Sequence, residues 1–428
     1  MKNPISYIRR NKNNTNFMIF NVASSNMYAN VLRIIGGFVT AYFVTPKELG
    51  EFNAFQLIIA YFPILQIGIT NALGRQLPLY IGRGDKESAV KNVQTAQFWE
   101  LLLGLGSSFV FLLLAIYNLF TGNQVNTWGY GCLSITTFAT FYGKNFLTIL
   151  YRTNQDFNKL ARNALINSTF SFVLISIVWL WGFEGLCLRA VMTSVLELVL
   201  LWIWRPMKTK PKFYKNIFVD LIKIGVPIYI VGIVVAYWTN INNTIILKLG
   251  GTESYGYYSL AIAVVSSLTI LGTSVTEVLY PKMSQGYGSG MTVKEMMRLP
   301  RKPVLINLIL CVPVIIMIWW VLPWIVPILL PKYVGGIEAA QYAAFLIIPS
   351  VLNCYNLVFN VTKKQMDYMF TVLIGMVVYV VVALGMYKSL GFSLKLFPLA
   401  MIVGKMSQLV AMLFFVKKYI KKGIKDVV

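Results

Sequence analysis

The 428-residue sequence contains no histidine and only 15 aspartates and glutamates. The lack of histidine removes the commonest metal ligand and the side chain that usually carries protons near neutral pH. The sequence also shows no paired carboxylates and no serine or cysteine nucleophile beside a base. We therefore predict that the protein is not an enzyme, and that it has no metal site and no cofactor.

Cysteine is scarce too, and the four cysteines are widely separated within apolar runs: Cys132, Cys187, Cys311 and Cys354. They lack the spacing of metal ligands, so we predict buried thiols in the protein core. The run GRGDKE (residues 82–87) lacks the strand–loop–helix setting of a phosphate-binding loop. We interpret this run as a polar turn.

Charged residues make up 12% of the chain and hydrophobic residues 57%, whereas about a quarter of a soluble domain is charged. The apolar residues fall in runs of about twenty, the length at which an α-helix crosses roughly 30 Å of hydrocarbon. Since lipid offers no partners to the backbone, such runs must be helices. We predict an all-α polytopic membrane protein with about 12 transmembrane helices. The predicted spans are residues 17–43, 52–80, 93–119, 127–150, 163–182, 185–204, 222–248, 257–281, 304–329, 337–361, 368–387 and 396–416.

The net charge of +23 is distributed in a way that indicates membrane orientation. Of the 38 lysines and arginines, 28 lie in the two terminal segments and every second loop, whereas 5 lie in the remaining loops and 5 within spans. Cytoplasmic loops carry such an excess of cations. The bias predicts a multi-pass protein with both termini in the cytoplasm, and it argues against nucleic acid as a partner.

The chain is predicted to form two halves. A segment rich in lysine and proline, RPMKTKPKFYKN, lies near the midpoint and is interpreted as a linker. The flanking halves are weakly similar, since Gly50 precedes Phe52 after the first span and Gly256 precedes Tyr257 after the seventh. The first and seventh spans are both odd-numbered, so they cross the membrane in the same direction, and the repeat is a parallel pseudo-repeat. The predicted organisation is an N-terminal lobe over 1–204 (helices 1–6), a basic cytoplasmic linker over 205–221 and a C-terminal lobe over 222–428 (helices 7–12).

Five cations fall inside predicted spans: Arg33, Arg75, Lys144, Arg189 and Lys405. A central arginine or lysine costs roughly 2.5–3.5 kcal/mol on insertion scales, so it is tolerated mainly beside a cavity or a partner. Arg33 and Lys405 lie deepest and favour a cavity that binds an anion. Lys144 could instead reach the membrane interface, and Arg189 could do the same or pair along its helix with Glu197.

Polar residues at helical spacing accompany these cations and are predicted to line the cavity. They are Asn26, Asn30, Thr140, Thr148, Asn240, Asn353 and Asn356. The alternative is that such residues hold neighbouring helices together by hydrogen bonds.

Three carboxylates also fall inside predicted spans: Glu100, Glu197 and Glu277. Each could bind a coupling ion, H⁺ or Na⁺, or could form a salt bridge instead. Glu277 and Arg75 occupy corresponding positions in the two halves, so we hypothesise a cytoplasmic gate pair. The alternative is that each pairs within its own lobe.

Residues 44–89 resemble the Wzx-type oligosaccharide flippases of the multidrug/oligosaccharidyl-lipid/polysaccharide exporter (MOP) superfamily. Three features carry the resemblance: a Leu-Gly-x-Phe turn at 49–52, the segment Gly-Ile-x-Asn-Ala-x-x-Arg at 68–75 and a Gly-Asp-Lys-Glu loop at 84–87. The resemblance implies two six-helix lobes in a V shape around a central cationic cavity.

The resemblance also implies a function. Such proteins flip an undecaprenyl-diphosphate-linked oligosaccharide to the outer leaflet of the bacterial cytoplasmic (inner) membrane by alternating access, for O-antigen or capsule assembly. The diphosphate contacts would be Arg33, Arg75, Lys144 and Lys405. Expected partners are the lipid-linked oligosaccharide, bilayer lipids and polysaccharide-assembly proteins, with the chain acting as a monomer. The alternatives are a multidrug/cation antiporter of the same superfamily, which should favour acidic groups, and a lipid II-type flippase, which usually has two further spans.

Overall fold

The apolar runs form helices, as backbone without access to water requires. A computed structural model describes residues 15–422, in which no β-strand occurs. Side chains are described from residue 24 to residue 421, except those of 228, 270–275, 277, 278 and 281. Both chain termini and the side chain of Glu277 therefore lie outside the described residues.

The helices are α1 (Thr15–Phe43), α2 (Pro46–Tyr61), α3 (Ile69–Arg83), α4 (Lys86–Phe120), α5 (Gln124–Phe138), α6 (Thr148–Thr153), α7 (Phe157–Val173), α8 (Ile175–Ile203), α9 (Lys215–Gly288), α10 (Val293–Met296), α11 (Arg301–Leu329), α12 (Ile337–Ala344), α13 (Ile347–Leu352), α14 (Leu357–Val361), α15 (Gln365–Leu390) and α16 (Leu396–Lys422). A π-helix over Ala139–Leu147 joins α5 to α6. Short 3₁₀ segments cover Phe62–Gln66, Pro331–Gly336 and Asn353–Asn356.

Each of the twelve predicted spans falls largely on helical residues, which confirms the all-α membrane fold. Within the described residues, 7 helices are long and apolar enough to cross a membrane, or 8 if a bent pair counts as one span. The count of 12 spans stays a prediction. Gly182 (φ 50°) interrupts α8 and Gly251 (φ 75°) interrupts α9, beside the predicted loops.

The second predicted span, 52–80, is wrong as a single helix. Left-handed backbone at Ile67 (φ 50°) and Gly68 (φ 74°) breaks it, and the segments on either side differ in direction by 53°. The break lies against α9: a Cβ on Gly68 would approach the Gly225 carbonyl oxygen to 2.5 Å, and a Cβ on Gly225 would approach the Gly68 oxygen to 2.1 Å. Only glycine at both positions lets the two backbones touch.

The described chain divides into two compact units. Unit 1 comprises Met1–Val44 and Phe52–Ile233, and unit 2 comprises Thr45–Glu51 and Val234–Val428. The predicted linker 205–221 therefore lies within unit 1, because the start of α9 packs on the break before α3. The predicted lobe limits, the pseudo-repeat and the V shape stay predictions.

Small residues also hold unit 2 together. A Cβ on Gly375 of α15 would lie 2.7 Å from the Gly404 oxygen of α16, and a Cβ on Gly404 would lie 2.8 Å from the Gly375 oxygen. The ring of Trp238 fills the space beside both glycines and is 1% exposed. Gly50 and Gly256, the glycines that make the two halves similar in sequence, are also in contact, since a Cβ on Gly50 would lie 2.9 Å from the Gly256 nitrogen.

The run GRGDKE is a helix–turn–helix junction. Gly84 ends α3 with φ 75°, and the Asp85 side chain caps α4 by accepting the backbone N–H of Ser88 at 3.0 Å. These hydrogen bonds to Ser88 hold the pKa of Asp85 below its usual value. The polar-turn interpretation is confirmed. All four cysteines are buried and free, which confirms the prediction of core thiols.

We predict that Gly225→Ala lowers the thermal unfolding midpoint of the detergent-purified protein. The new methyl group would meet the Gly68 carbonyl, and overpacking of this kind costs about 1–3 kcal/mol. Gly82→Ala is the matched control, since a Cβ there meets nothing within 4 Å. Equal midpoints for the two variants would show that the contact at the break does not support the fold.

Candidate functional site

Unit 1 encloses a cavity of about 790 Å³. Helices α1, α3, α6, α7 and α8 and the π-helix contribute to its wall. The lining residues are Asn26, Ala29, Leu32, Arg33, Gln66, Thr70, Asn71, Lys144, Asn145, Thr148, Ile149, Arg152, Leu160, Asn163, Ala164, Asn167, Ser168, Ser171, Phe172, Arg189, Thr193 and Glu197. The volume lies within the range of small-molecule sites, 300–1,000 Å³.

Positive charge prevails in this lining. Four cations line the cavity, Arg33, Lys144, Arg152 and Arg189, against the single carboxylate of Glu197. Clefts lined by one sign of charge concentrate the opposite charge. The cavity is therefore suited to an anion.

Arg33 is an exposed side chain on the cavity face of α1. Its guanidinium donates to the side-chain oxygen of Asn30, one turn earlier, at 3.4 Å. Asn26 lines the cavity a further turn away. Among the described residues Arg33 forms no ion pair, so its remaining N–H groups are available to a ligand.

Lys144 lies in the π-helix, a conformation often found at functional sites. The π-helix packs closely on α8, where a Cβ on Gly143 would lie 3.0 Å from the Leu198 side chain. Lys144 is exposed and forms no ion pair with a described residue. Thr148, one turn later, lines the same cavity.

A second space of about 360 Å³ adjoins the first, and both are lined by Lys144, Thr193 and Glu197. Thr140 lines this second space and donates its hydroxyl hydrogen to the Thr136 carbonyl at 2.8 Å. Glu197 forms no close ion pair with a cation of the described chain.

Arg189 has a structural role in the cavity wall. Its guanidinium donates to the Ser171 carbonyl at 2.9 Å, the Ser171 hydroxyl at 3.1 Å and the Thr40 hydroxyl at 2.7 Å. These bonds tie α8 to α7 and α1. The guanidinium is therefore committed to these three oxygens, and it forms no ion pair with Glu197, which was one of the alternatives left open by the sequence.

Glu100 is fully buried on α4. One carboxyl oxygen accepts a hydrogen bond from the Gln66 amide at 3.2 Å, and the other has no described partner. Gln66 also lines the cavity and directly precedes the break at Ile67. Glu100 forms no ion pair with a described cation, so its role as a coupling site stays a prediction.

Lys405 lies in unit 2 and is not among the residues that line the unit 1 cavity. Its ammonium is 3.7 Å from the centroid of the Trp238 ring, and it lines a cavity of about 260 Å³ together with Asn353. Asn356 donates to the Tyr368 hydroxyl at 3.2 Å, which fits a helix-bonding role. Asn240 is half-buried and its carbonyl accepts the Thr244 hydroxyl at 2.8 Å.

Arg75 is exposed on α3 and does not line the unit 1 cavity. The side chain of Glu277 lies outside the described residues, so the gate pair stays a prediction. Of the predicted site residues, the structure brings together Asn26, Arg33, Lys144, Thr148 and Glu197.

Several lining residues were not predicted from the sequence. Asn163, Asn167 and Ser171 follow one face of α7 at intervals of four residues, a polar stripe like those that identified the other helices. Asn71 and Asn145 also line the cavity. Asn71 lies within the motif at 68–75, and Asn145 directly follows Lys144. Helical spacing on α7 was the signal that could have found the first three.

Comparison with solved structures shows a shared fold. The structure titled "Inward-facing conformation of a multidrug resistance MATE family transporter of the MOP superfamily" matches with a TM-score of 0.76, 14% identity, and coverage of 93% of this chain and 96% of that chain. An outward-facing MATE transporter matches with a TM-score of 0.64 at 15% identity over 100% of both chains. A MOP superfamily transporter from Pyrococcus furiosus matches with a TM-score of 0.62 at 14% identity, over 98% of this chain and 96% of that chain.

Sequence comparison with curated proteins finds no match. A family profile described as "Polysaccharide biosynthesis protein" matches residues 39–334, which include the motif at 68–75 and the unit 1 cavity wall except the α1 residues Asn26, Ala29, Leu32 and Arg33. This chain is a multi-pass membrane protein that belongs to the polysaccharide biosynthesis protein family and has the fold of the MOP superfamily transporters.

Proposed function

We propose that the protein flips an undecaprenyl-diphosphate-linked oligosaccharide from the cytoplasmic to the outer leaflet of a bacterial inner membrane, for surface polysaccharide assembly. The observation that carries the proposal is the cationic cavity of unit 1, in which Arg33 and Lys144 have no ion pair among the described residues. The family profile supports a role in polysaccharide biosynthesis.

A diphosphate suits the two cations. The planar guanidinium of Arg33 can donate two parallel hydrogen bonds to phosphate oxygens, whereas the Lys144 ammonium acts as a point charge. Arg189 is committed to Ser171 and Thr40, so it contributes its field rather than its hydrogen bonds. The diphosphate is thus assigned to the region between α1 and the π-helix.

The rest of the lining suits sugars. Carboxamides and hydroxyls both donate and accept, as a chain of sugar hydroxyls requires. They are supplied by Asn26, Asn71, Thr148, Asn163 and Asn167. The polyprenyl tail would remain in lipid.

The proposal includes several points from the sequence alone. Both termini face the cytoplasm, since 28 of the 38 cations lie in the terminal segments and in every second loop, and cytoplasmic segments carry such an excess. Transport proceeds by alternating access of a monomer and uses no cofactor, with H⁺ or Na⁺ as the coupling ion and polysaccharide-assembly proteins as partners.

We predict that Arg33→Ala slows flipping of a fluorescent polyprenyl-diphosphate disaccharide in proteoliposomes by roughly ten- to hundredfold. The estimate follows from the loss of charge-assisted hydrogen bonds worth about 1.5–3 kcal/mol. Arg33→Lys should be intermediate, because it keeps the charge and loses the planar fork.

Arg83→Ala is the matched control, since Arg83 is an exposed arginine in the last turn of α3, outside the cavity lining. It should flip the probe within about twofold of the wild type. A wild-type rate for Arg33→Ala, at equal protein content in the vesicles, would refute the assignment of the diphosphate to this cavity.

A multidrug antiporter is the second candidate, because two of the similar structures are multidrug resistance transporters. The cationic lining opposes cationic drugs. The Pyrococcus furiosus transporter is described by a "reverse polarity of binding pocket" that "suggests different function". The polarity of the pocket is therefore a relevant argument against the antiporter function in this fold.

We predict that expression of the protein in a drug-hypersensitive strain leaves ethidium efflux at the background rate. With four cations against one carboxylate, the cavity lining has a net positive charge that would repel a cationic dye. In the native host, deletion should instead cause a lipid-linked glycan to accumulate on the cytoplasmic side. Restored ethidium efflux without glycan accumulation would favour the antiporter.

A further inference from the structure

Unit 2 contains a small cavity with two kinds of wall. Its volume is about 260 Å³, slightly below the usual range for small-molecule sites. The apolar lining residues are Ala261, Ile262, Val265, Leu346, Pro349 and Met401. The polar lining is supplied by Thr239, Asn242, Asn243, Tyr258, Asn353 and Lys405, among others. The site therefore combines one cation with an apolar surface.

The position of the cation is fixed by packing. Trp238 sits beside Gly375 and Gly404, where a Cβ would come within 2.5 Å and 3.1 Å of its ring. The Lys405 ammonium lies 3.7 Å from the centroid of that ring. A cation–π contact of this kind stabilises an ammonium on one side only, and an ammonium has three N–H donors to satisfy.

Three polar lining residues, Asn242, Asn243 and Tyr258, are hydrogen-bonded to one another. Asn242 accepts from the Tyr379 hydroxyl at 2.8 Å, and its amide lies 3.2 Å from the Asn243 oxygen and 3.3 Å from the Tyr258 oxygen. No described carboxylate forms an ion pair with Lys405. The charge of Lys405 is thus left without a counter-charge in the described part of unit 2.

Lys395, on a loop of the same unit, shows the contrast. Its ammonium pairs with the Glu338 carboxylate at 3.2 Å, and the two side chains are 40% and 64% exposed to solvent. An exposed lysine needs such a partner least. The half-buried Lys405 needs one most and has none, which favours an anion supplied from outside the chain.

We propose that the unit 2 cavity binds a small amphipathic anion, with its anionic group on Lys405 and its apolar part against Ile262, Val265 and Met401. An alkyl or prenyl phosphate monoester has this chemistry. This site is lined by residues of unit 2 only, and the proposal goes beyond the flippase function.

Titration calorimetry on the full-length protein in zwitterionic nanodiscs tests the proposal, with hexyl phosphate as the probe and empty nanodiscs as the blank. Wild-type protein should bind hexyl phosphate at a site that requires Lys405, at least tenfold more tightly than inorganic phosphate or 1-hexanol. Lys405→Met should weaken binding at least tenfold, and Lys405→Arg should retain most of it. Lys395→Met, the matched control, should bind as the wild type does.

Three results would overturn the proposal. Equal affinity of the wild type and Lys405→Met would exclude the cation, provided that Lys405→Met unfolds at the wild-type temperature. If 1-hexanol bound as tightly as hexyl phosphate, the phosphate group would contribute nothing and the site would be only an apolar cavity. If inorganic phosphate bound as tightly as hexyl phosphate, the apolar wall would contribute nothing to binding. Because the titration compares Lys405→Met with the wild type and involves no flipping, its failure is distinguishable from a failure of the transport function, which is tested at Arg33.

Discussion

Hydrocarbon offers no hydrogen bonds, and every polar group at membrane depth must find a partner within the protein or face a cavity. The backbone meets this condition by forming helices from α1 to α16. The charged side chains meet it in different ways. Arg189 is bonded to three oxygens of α1 and α7, and Lys405 rests on the Trp238 ring. Arg33 and Lys144 meet it by facing a cavity, which leaves them open to a ligand.

The same condition gives the two units cavities of different character. The unit 1 cavity is large and has a polar, cationic wall, so it suits a ligand with dense negative charge and many hydroxyls. The unit 2 cavity is smaller and largely apolar, with the ammonium of Lys405 at one side. Glu100 represents a third outcome, a fully buried carboxyl with one amide donor from Gln66. In each case the cost of removing a charged group from water is offset to a different extent by contacts with neighbouring residues.

Glycine contacts set where these side chains lie. The touching backbones at Gly68 and Gly225 hold the break before α3, so that Gln66 and Asn71 reach the unit 1 cavity from either side of it. The crossing of Gly375 and Gly404 makes room for the Trp238 ring beneath Lys405. The motif at 68–75, which carries the family resemblance, therefore contains both the glycine that permits the break and residues of the cavity wall.

The sequence by itself determined the helical membrane fold, the largely helical character of the predicted spans apart from the break in the second, and the polar stripes of α1 and the π-helix. Hydrophobic run length and helical spacing are local properties, and they suffice for these features. Only the tertiary structure decided which charges are committed and which are free. Arg33 and Arg189 are both arginines within predicted spans, yet one has a single asparagine contact and the other has three bonds to neighbouring helices. The break at Ile67 and Gly68, and the separation of Lys405 from Arg33 into different units, depend on contacts between residues far apart in the chain. Such contacts leave no periodic signal in a single sequence.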